Sequence, residues 1–250
     1  MTAWSECELA AALCEADGVS DVWVCHLGLV PYREALDLQE RVRAAREADA
    51  IPDVLLLLEH PPVYTRGRRS DASELPLGED WYAQQGIEIV DVPRGGKVTY
   101  HGPGQLVGYP IARVSDIVGH VRAMERAMTA ALAGEQITAR SRTQDGPDYT
   151  GVWVGERKIA SIGVHVRRGV ATHGFAVNVD NDLEPFSWVV PCGLTLPMTS
   201  LAAESGRDGL LRCFRKRMAH AWATETGARQ RLVTATALER ALAPLAAGTR

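Results

Sequence analysis

The chain is poor in several things that usually announce a function. It has five cysteines in 250 residues, at positions 7, 14, 25, 192 and 213, and no Cys-x-x-Cys pair. That scatter offers neither a zinc site nor a disulfide framework and suits the reduced thiols of a cytoplasmic protein. Lysine is scarcer still: Lys97, Lys158 and Lys216 are the only three, so arginine supplies nearly all the positive charge. No apolar run approaches the roughly 20 residues of a membrane span; the longest, "VLLLLEH" from Val54, has the length of a strand. The acidic N-terminus, "MTAWSECELAAALCEADGVS", lacks the basic start of a signal peptide. A net charge of −4 argues against general nucleic-acid binding. Internal repeats and low-complexity linkers are absent too.

What is there is an ordinary globular composition, 46% apolar and 23% charged, long enough for one domain with a sizeable core. Residues 1–20 read as an N-terminal extension. "VWVCHLG" (22–28) and the leucine run read as strands, the second buried on both faces. Residues 32–50 carry apolar positions at helical spacing behind Pro31. "PPVYTRGRRSDASELPLG" (61–78) reads as a long polar loop, and "WYAQQG" as a short helix closing at Gly86. "IEIVDVP" and "QLVGYPI" are strands entering and leaving a glycine-rich segment. Residues 116–135 form a helix, and the β-rich stretch 151–179 turns at Gly155-Glu156 and Arg168-Gly169. An amphipathic helix follows over 208–227, and residues 229–250 read as a helical tail. One α/β (α+β) domain over 21–228, a mixed β-sheet flanked by helices, is the economical fold.

The glycine-rich segment is "RGGKVTYHGPGQLVGYP", Arg94 to Pro110, with five glycines and two prolines. It is not a P-loop, because Gly96-Lys97 is followed by Val98 rather than Ser or Thr. It is not a dinucleotide fingerprint, because Gly102-Pro103-Gly104 leads into a strand pattern rather than a helix. Glycines let backbone approach a ligand closely, and Thr99, His101 and Gln105 set hydroxyl, imidazole and amide groups beside it. A rigid turn packed on itself is the alternative.

Two further residues carry chemistry. Cys192 sits in "VVPCGLTLPMTSL", between Pro191 and Gly193, whereas the other four cysteines fall in the poorly patterned N-terminus, a strand or a helix. A thiol needs a neighbouring cation to ionise near pH 7. Lys158 lies among apolar residues in "GERKIASIG". A strand lysine is commonly a solvated edge residue. Where arginine is the default cation, a lysine retained there has the one property arginine lacks, the ability to lose its proton.

The segment from Arg94 closely resembles the signature of the lipoyl(octanoyl) transferases: Arg-Gly-Gly, two residues, Thr, an aromatic and His, then a Gly-Gln-x-x-x-Tyr tail. The resemblance extends through residues 151–179 and "VPCGL" (190–194), over roughly 22–225. It implies the catalytic fold shared with lipoate ligases and biotin protein ligases, and makes 21–228 the catalytic domain. It implies Cys192 as nucleophile and Lys158 as its partner. The substrate-binding positions would be Arg94, Gly95, Gly96, Lys97, Val98, Thr99, Tyr100 and His101, with Ser161, Ile162 and Gly163 and with Gly174, Phe175 and Ala176. His101 would either donate a hydrogen bond at the reacting centre or order the loop. The implied reaction moves an octanoyl or lipoyl group from acyl carrier protein to Cys192 and then to a lysine of a lipoyl domain. Acceptors would be 2-oxoacid dehydrogenase E2 subunits and the glycine cleavage H protein. No ATP, metal or other cofactor is called for, and neither nucleic acid nor membrane takes part. Arg66, Arg68 and Arg69, with Arg94 and Lys97 nearby, would dock the acidic carrier. The rival readings are an ATP-dependent lipoate ligase of related fold, a non-catalytic acyl-binding adaptor and a thiol hydrolase. The pairing of Cys192 with Lys158 argues against the first two.

Overall fold

The computed structural model describes residues 19–190 and 197–246. Its sheet is organised around the leucine run. Val54 to Leu58 are all fully buried, with Val54, Leu56 and Leu58 in one core cluster and Leu55 and Leu57 in another. Successive side chains leave a strand on opposite faces, so an unbroken apolar run belongs between two helical layers. In chain order the elements are β1 (Asp21–Leu29), α1 (Tyr32–Glu47), β2 (Asp53–Glu59), β3 (Val63–Arg66), α2 (Glu79–Gln84), β4 (Glu88–Asp91), β5 (Thr99–His101), β6 (Gln105–Ile111) and α3 (Ile117–Ala133). There follow β7 (Arg140–Ser141), β8 (Gly151–Val154), β9 (Arg157–Arg167), β10 (Val170–Asn178), α4 (Leu201–Ser205), α5 (Leu211–Thr226), β11 (Arg229–Val233) and α6 (Ala235–Ala246).

Eight strands make one mixed sheet in the order β11-β1-β2-β6-β10-β9-β8-β7, and β4-β3-β5 form a second, smaller one. Helices α1 and α6 cover one face of the large sheet through Leu38, Val42, Leu238 and Leu242, packed with Leu56 and Tyr109. Helices α3 and α5 cover the other through Met124, Met128, Phe214 and Met218, packed with Leu55 and Leu106. The fold is the single mixed α/β domain that the composition and patterning predict.

Two stretches differ from the sequence reading. The polar loop 61–78 contains β3, whose Val63, Tyr64 and Thr65 are buried because β4 and β5 pair with it on both sides. Four residues are too few for periodicity to show against Arg-rich neighbours. The segment 229–250 opens with β11, which pairs parallel to β1 from Asp21↔Arg229 to Cys25↔Val233 before α6 begins. Its arginines suit an edge strand. Of the extension 1–20, residues 1–18 lie outside the described residues.

Two irregularities of the large sheet shape its surface. Between β8 and β9 the register steps from Val152↔Ala160 to Trp153↔Lys158, leaving Ile159 as an extra residue, a β-bulge. Between β6 and β10 the ladder runs to Gly108↔Phe175 and is re-established by the Arg113↔Val170 bridge. In the gap stands Pro110, which has no N–H to give; opposite it His173 takes φ 57° and Gly174 φ 158°.

Candidate active site

A cavity of about 360 Å³ opens over β9 and β10, walled by the glycine-rich segment. Two backbones cross here. Gly95 N–H donates to the Val164 carbonyl (2.9 Å), and a Cβ added to Gly163 would stand 2.9 Å from the Gly95 oxygen and 3.0 Å from Arg94 Cδ. The glycines therefore let the wall lie directly on the strand. Arg94 locks the crossing: its buried guanidinium donates to the Thr65 carbonyl (2.6 Å), Thr65 Oγ1 (2.7 Å) and the Gly95 carbonyl (2.9 Å). It makes no ion pair among the described residues, and burial holds its pKa below the ordinary arginine value. The buried Glu74 secures the next turn, accepting from Val98 N–H (3.0 Å) and facing Lys97 Nζ at 3.6 Å.

Of the substrate-binding positions expected from the sequence, Arg94 to Thr99, His101, Ser161 to Gly163 and Gly174 to Ala176 all line this cavity. Tyr100 does not. Its ring turns to the other side of β5, against Tyr64 (5.4 Å between centroids) and Phe186 (5.5 Å). His101 is buried, with Nδ1 2.7 Å from Gln105 Oε1. Gln105 Nε2 donates to the Tyr100 carbonyl (3.2 Å) and to Asn178 Oδ1 (2.9 Å), so Oε1 must be the acceptor and His101 Nδ1 carries the hydrogen. Burial, reinforced by nearby His60, keeps the His101 pKa well below its usual value. A neutral His101 with that single N–H spent on Gln105 has none left for an oxyanion; it orders the loop.

Tyr109 and His173 line the cavity together with His101. His60 Nδ1 donates to the Val30 carbonyl (2.7 Å), which leaves Nε2 to accept from the Tyr109 hydroxyl (2.7 Å). Burial pushes His60 down to about 4, and burial with Arg94 nearby pushes His173 down to about 3. All three imidazoles are neutral at pH 7.

Lys158 shares this cavity because of the bulge. Strict alternation would put Lys158 and Ser161, three residues apart, on opposite faces. With Ile159 as the extra residue, Ile159 and Ala160 are both buried in the same core cluster, and Lys158 and Ser161 both line the cavity. Lys158 Nζ lies 5.4 Å from the centre of the Trp153 ring, within the range of a cation–π contact. Its backbone is held from outside the hairpin: Lys158 N–H donates to the Pro197 carbonyl (2.8 Å), and its carbonyl accepts from Thr199 N–H (3.0 Å). Cys192, with the rest of 191–196, lies outside the described residues. Val189 and Met198, on either side of that stretch, both line the cavity. Cys25 is buried, and burial raises its thiol to about 11, which makes it inert at neutral pH. Cys213 is exposed on α5.

Reading the sequence alone misses Asp148, Thr150 and Val164 at the cavity, since nothing in "QDGPDYTGV" marks a wall. Asp148 pairs with Arg69 across the rim at 3.1 Å. Arg66 faces elsewhere, bound by Asp91 and Glu79. Among the described residues no His, Cys, Asp and Glu cluster could hold a metal ion, and no helix is long and apolar enough to cross a membrane.

Residues 31–223 match the model of the lipoyl protein ligase A/B catalytic domain. An octanoyltransferase of Solibacter usitatus is 49% identical over 188 residues, covering 74% of this chain and 84% of the relative. One from Caldicellulosiruptor bescii is 47% identical over 175 residues, covering 68% and 76%. Among solved structures, the bipartite lipoate protein ligase of Thermoplasma acidophilum aligns over 92% of this chain and 93% of its own, with a TM-score of 0.68 and 20% identity; that likeness is one of fold. The fold is shared with the ligases, and the sequence sides with the transferases: the chain belongs to the octanoyltransferases of the lipoyl protein ligase A/B catalytic family.

Proposed function

We propose that this chain moves an octanoyl group from acyl carrier protein to a lysine of a lipoyl domain through a thioester on Cys192. The observation that carries the reading is the cavity itself. Lys158 projects into it, the small residues Ser161, Gly163, Gly174 and Ala176 line it, and the chain on both sides of 191–196 borders it. From Lys158 to Gly163 the strand advances roughly 17 Å at about 3.3 Å per residue, room for an extended aliphatic chain.

In the first step Lys158 takes the proton of Cys192, and the thiolate attacks the carbonyl carbon of the donor thioester. The carrier's thiolate leaves and takes up the proton from Lys158. In the second step the acceptor's neutral lysine amine attacks the acyl-Cys192 thioester. Cys192 leaves as thiolate, the excess proton passes through Lys158 back to sulfur, and an amide remains. Thioester exchange is nearly balanced and amide formation is downhill, so no ATP is consumed. Lipoyl-domain proteins are the acceptors, the E2 subunits of 2-oxoacid dehydrogenases and the glycine cleavage H protein among them. The carrier docks at the rim where Arg68 and Arg69 stand; Arg66, neutralised by two carboxylates, contributes little. A cytoplasmic setting keeps the thiol reduced.

The reading is tested by mixing the protein with octanoyl carrier protein and recording intact mass, then adding a lipoyl domain without ATP. The unaltered chain gains one octanoyl group and passes it on; Cys192→Ser gains none. An adduct that persists in Cys192→Ser, or turnover only with ATP, overturns the proposal.

A further inference from the structure

We infer that Asn178 is a positioning residue for Lys158, acting through Thr199. The inference rests on the proposed role of Lys158 and extends it to a side chain that does not touch the cavity.

Asn178 closes β10 and is buried, with both ends of its amide in use. Nδ2 donates to the Thr199 carbonyl (3.0 Å), and Oδ1 accepts from Gln105 Nε2 (2.9 Å) and Asn181 Nδ2 (3.3 Å). Thr199 N–H in turn donates to the Lys158 carbonyl. With His101 at the head, four hydrogen bonds run in one direction: His101 to Gln105, Gln105 to Asn178, Asn178 to Thr199, Thr199 to Lys158. The first three meet head to tail through the side-chain amides of Gln105 and Asn178 and strengthen one another; at Thr199 the carbonyl and the N–H belong to adjacent peptide units, so the last link is one of position. The cavity wall and the backbone of Lys158 are thereby fixed in a common frame.

The frame matters at Lys158 because the neighbouring ladder is irregular there. The Ile159 bulge disrupts the pairing of β9 with β8, and residues 197–199 supply the bonds on the other edge of Lys158. Thr199 is itself secured on two sides. Its hydroxyl donates to Glu204 (2.6 Å), which Arg157 grips with two bonds of 2.9 Å, and its carbonyl is held by Asn178. The asparagine ties this strip to Gln105 and, through it, to His101 in the cavity wall. Aspartate at 178 keeps the shape, removes the donor and sets a carboxylate against the Thr199 carbonyl.

The test compares Asn178→Ala, Asn178→Asp and Asn181→Ala. Asn181 also touches Asn178 Oδ1 but stands off the line to Lys158. The readouts are kcat and KM with octanoyl carrier protein, and the pH dependence of Cys192 alkylation by iodoacetamide. Expected for both Asn178 variants is a kcat lower by roughly ten- to a hundredfold, with KM within about twofold and an alkylation profile displaced to higher pH. Asn181→Ala keeps kcat and the profile, whatever it does to melting temperature. Should Asn178→Ala fail to fold, Gln105→Glu, which still accepts from His101 and no longer donates to Asn178, is read in the same way. Wild-type kcat and profile in a folded Asn178 variant, or an equal loss in Asn181→Ala, sinks the inference alone. Turnover by Cys192→Ser sinks the proposed reaction and the inference with it.

Discussion

At Gly163 a single methyl group decides whether the cavity wall can lie on the strand. Gly163→Ala is expected to force Gly95 and Arg94 off β9, costing about 1–3 kcal/mol and most of the transfer activity. Gly155→Ala makes the contrast. Gly155 has φ 56° and open space around it, so the substitution costs about 1 kcal/mol of backbone strain and leaves turnover intact. Thermal melts and kcat for the two variants check this; equal activity would mean that the crossing is not what shapes the cavity. Residues are also the scale at which the sequence is most legible. The glycine-rich segment and Lys158 could be singled out because each breaks a local rule: too many glycines, or a lysine where arginine is the habit; Ser161 to Gly163 came only with the family resemblance. Tyr100 could not be sorted from Thr99 and His101, because three residues are too few to show which way a strand's side chains point. Asn178 stands last but one in a run, "GFAVNV", in which it is the one polar side chain. That anomaly was visible; its partners, far away in the chain, were not.

Among the elements, β9 shows how one inserted residue directs chemistry. Inserting one alanine between Lys158 and Ile159 shifts the lysine by one step of the alternation and sends it toward the α3 side, so transfer should vanish. Ile159→Ala instead removes buried carbon, at roughly 2–5 kcal/mol, but keeps the bulge and therefore keeps activity. Assays of the two proteins at a temperature where both are folded separate register from packing, and equal activities would refute the assignment of the bulge. Helix α3 could be read closely from the sequence, since Asp116 caps it by accepting from Gly119 N–H (2.9 Å) and the chain turns at Gly134. The bulge could not. Its only trace is a pair of adjacent apolar residues, Ile159-Ala160, which an ordinary buried strand also shows. β3 was hidden for a different reason: its burial comes from β4 and β5, which are distant in sequence, and not from its own pattern.

For the molecule as a whole, three neutral histidines in the interior make stability depend on acidity. The folded pKa of His60 is about 4 and that of His173 about 3, against an ordinary 6.5, and that of His101 is also lowered. Their folded pKa values lie below the unfolded ones, so the unfolded chain takes up protons first. The stability is fully present above pH 6.5 and is withdrawn as pH falls from there toward 4. His60 alone accounts for roughly 3 kcal/mol over that interval at about 1.4 kcal/mol per unit. Urea midpoints measured from pH 7 to pH 4.5 should fall steadily, and His60→Gln, whose amide can donate and accept in place of the ring, should flatten the slope. An unchanged slope would show that His60 titrates normally. Globally the sequence told the fold class and that the leucine run is buried on both faces, which follow from its patterning. It did not tell the strand order, because β1 pairs with β11 some 200 residues away, and no local preference encodes such a meeting.

Glu74 has a further consequence. Its carboxylate takes Val98 N–H from the cavity wall, while its own carbonyl takes Val190 N–H (3.0 Å), at the last described residue before 191–196. One short turn thus grips the rim of the chamber with its side chain and the lead-in to the sulfur-bearing stretch with its main chain. A guest large enough to displace that rim must pull on Val190 as well, so the two sides of the chamber mouth move as one piece.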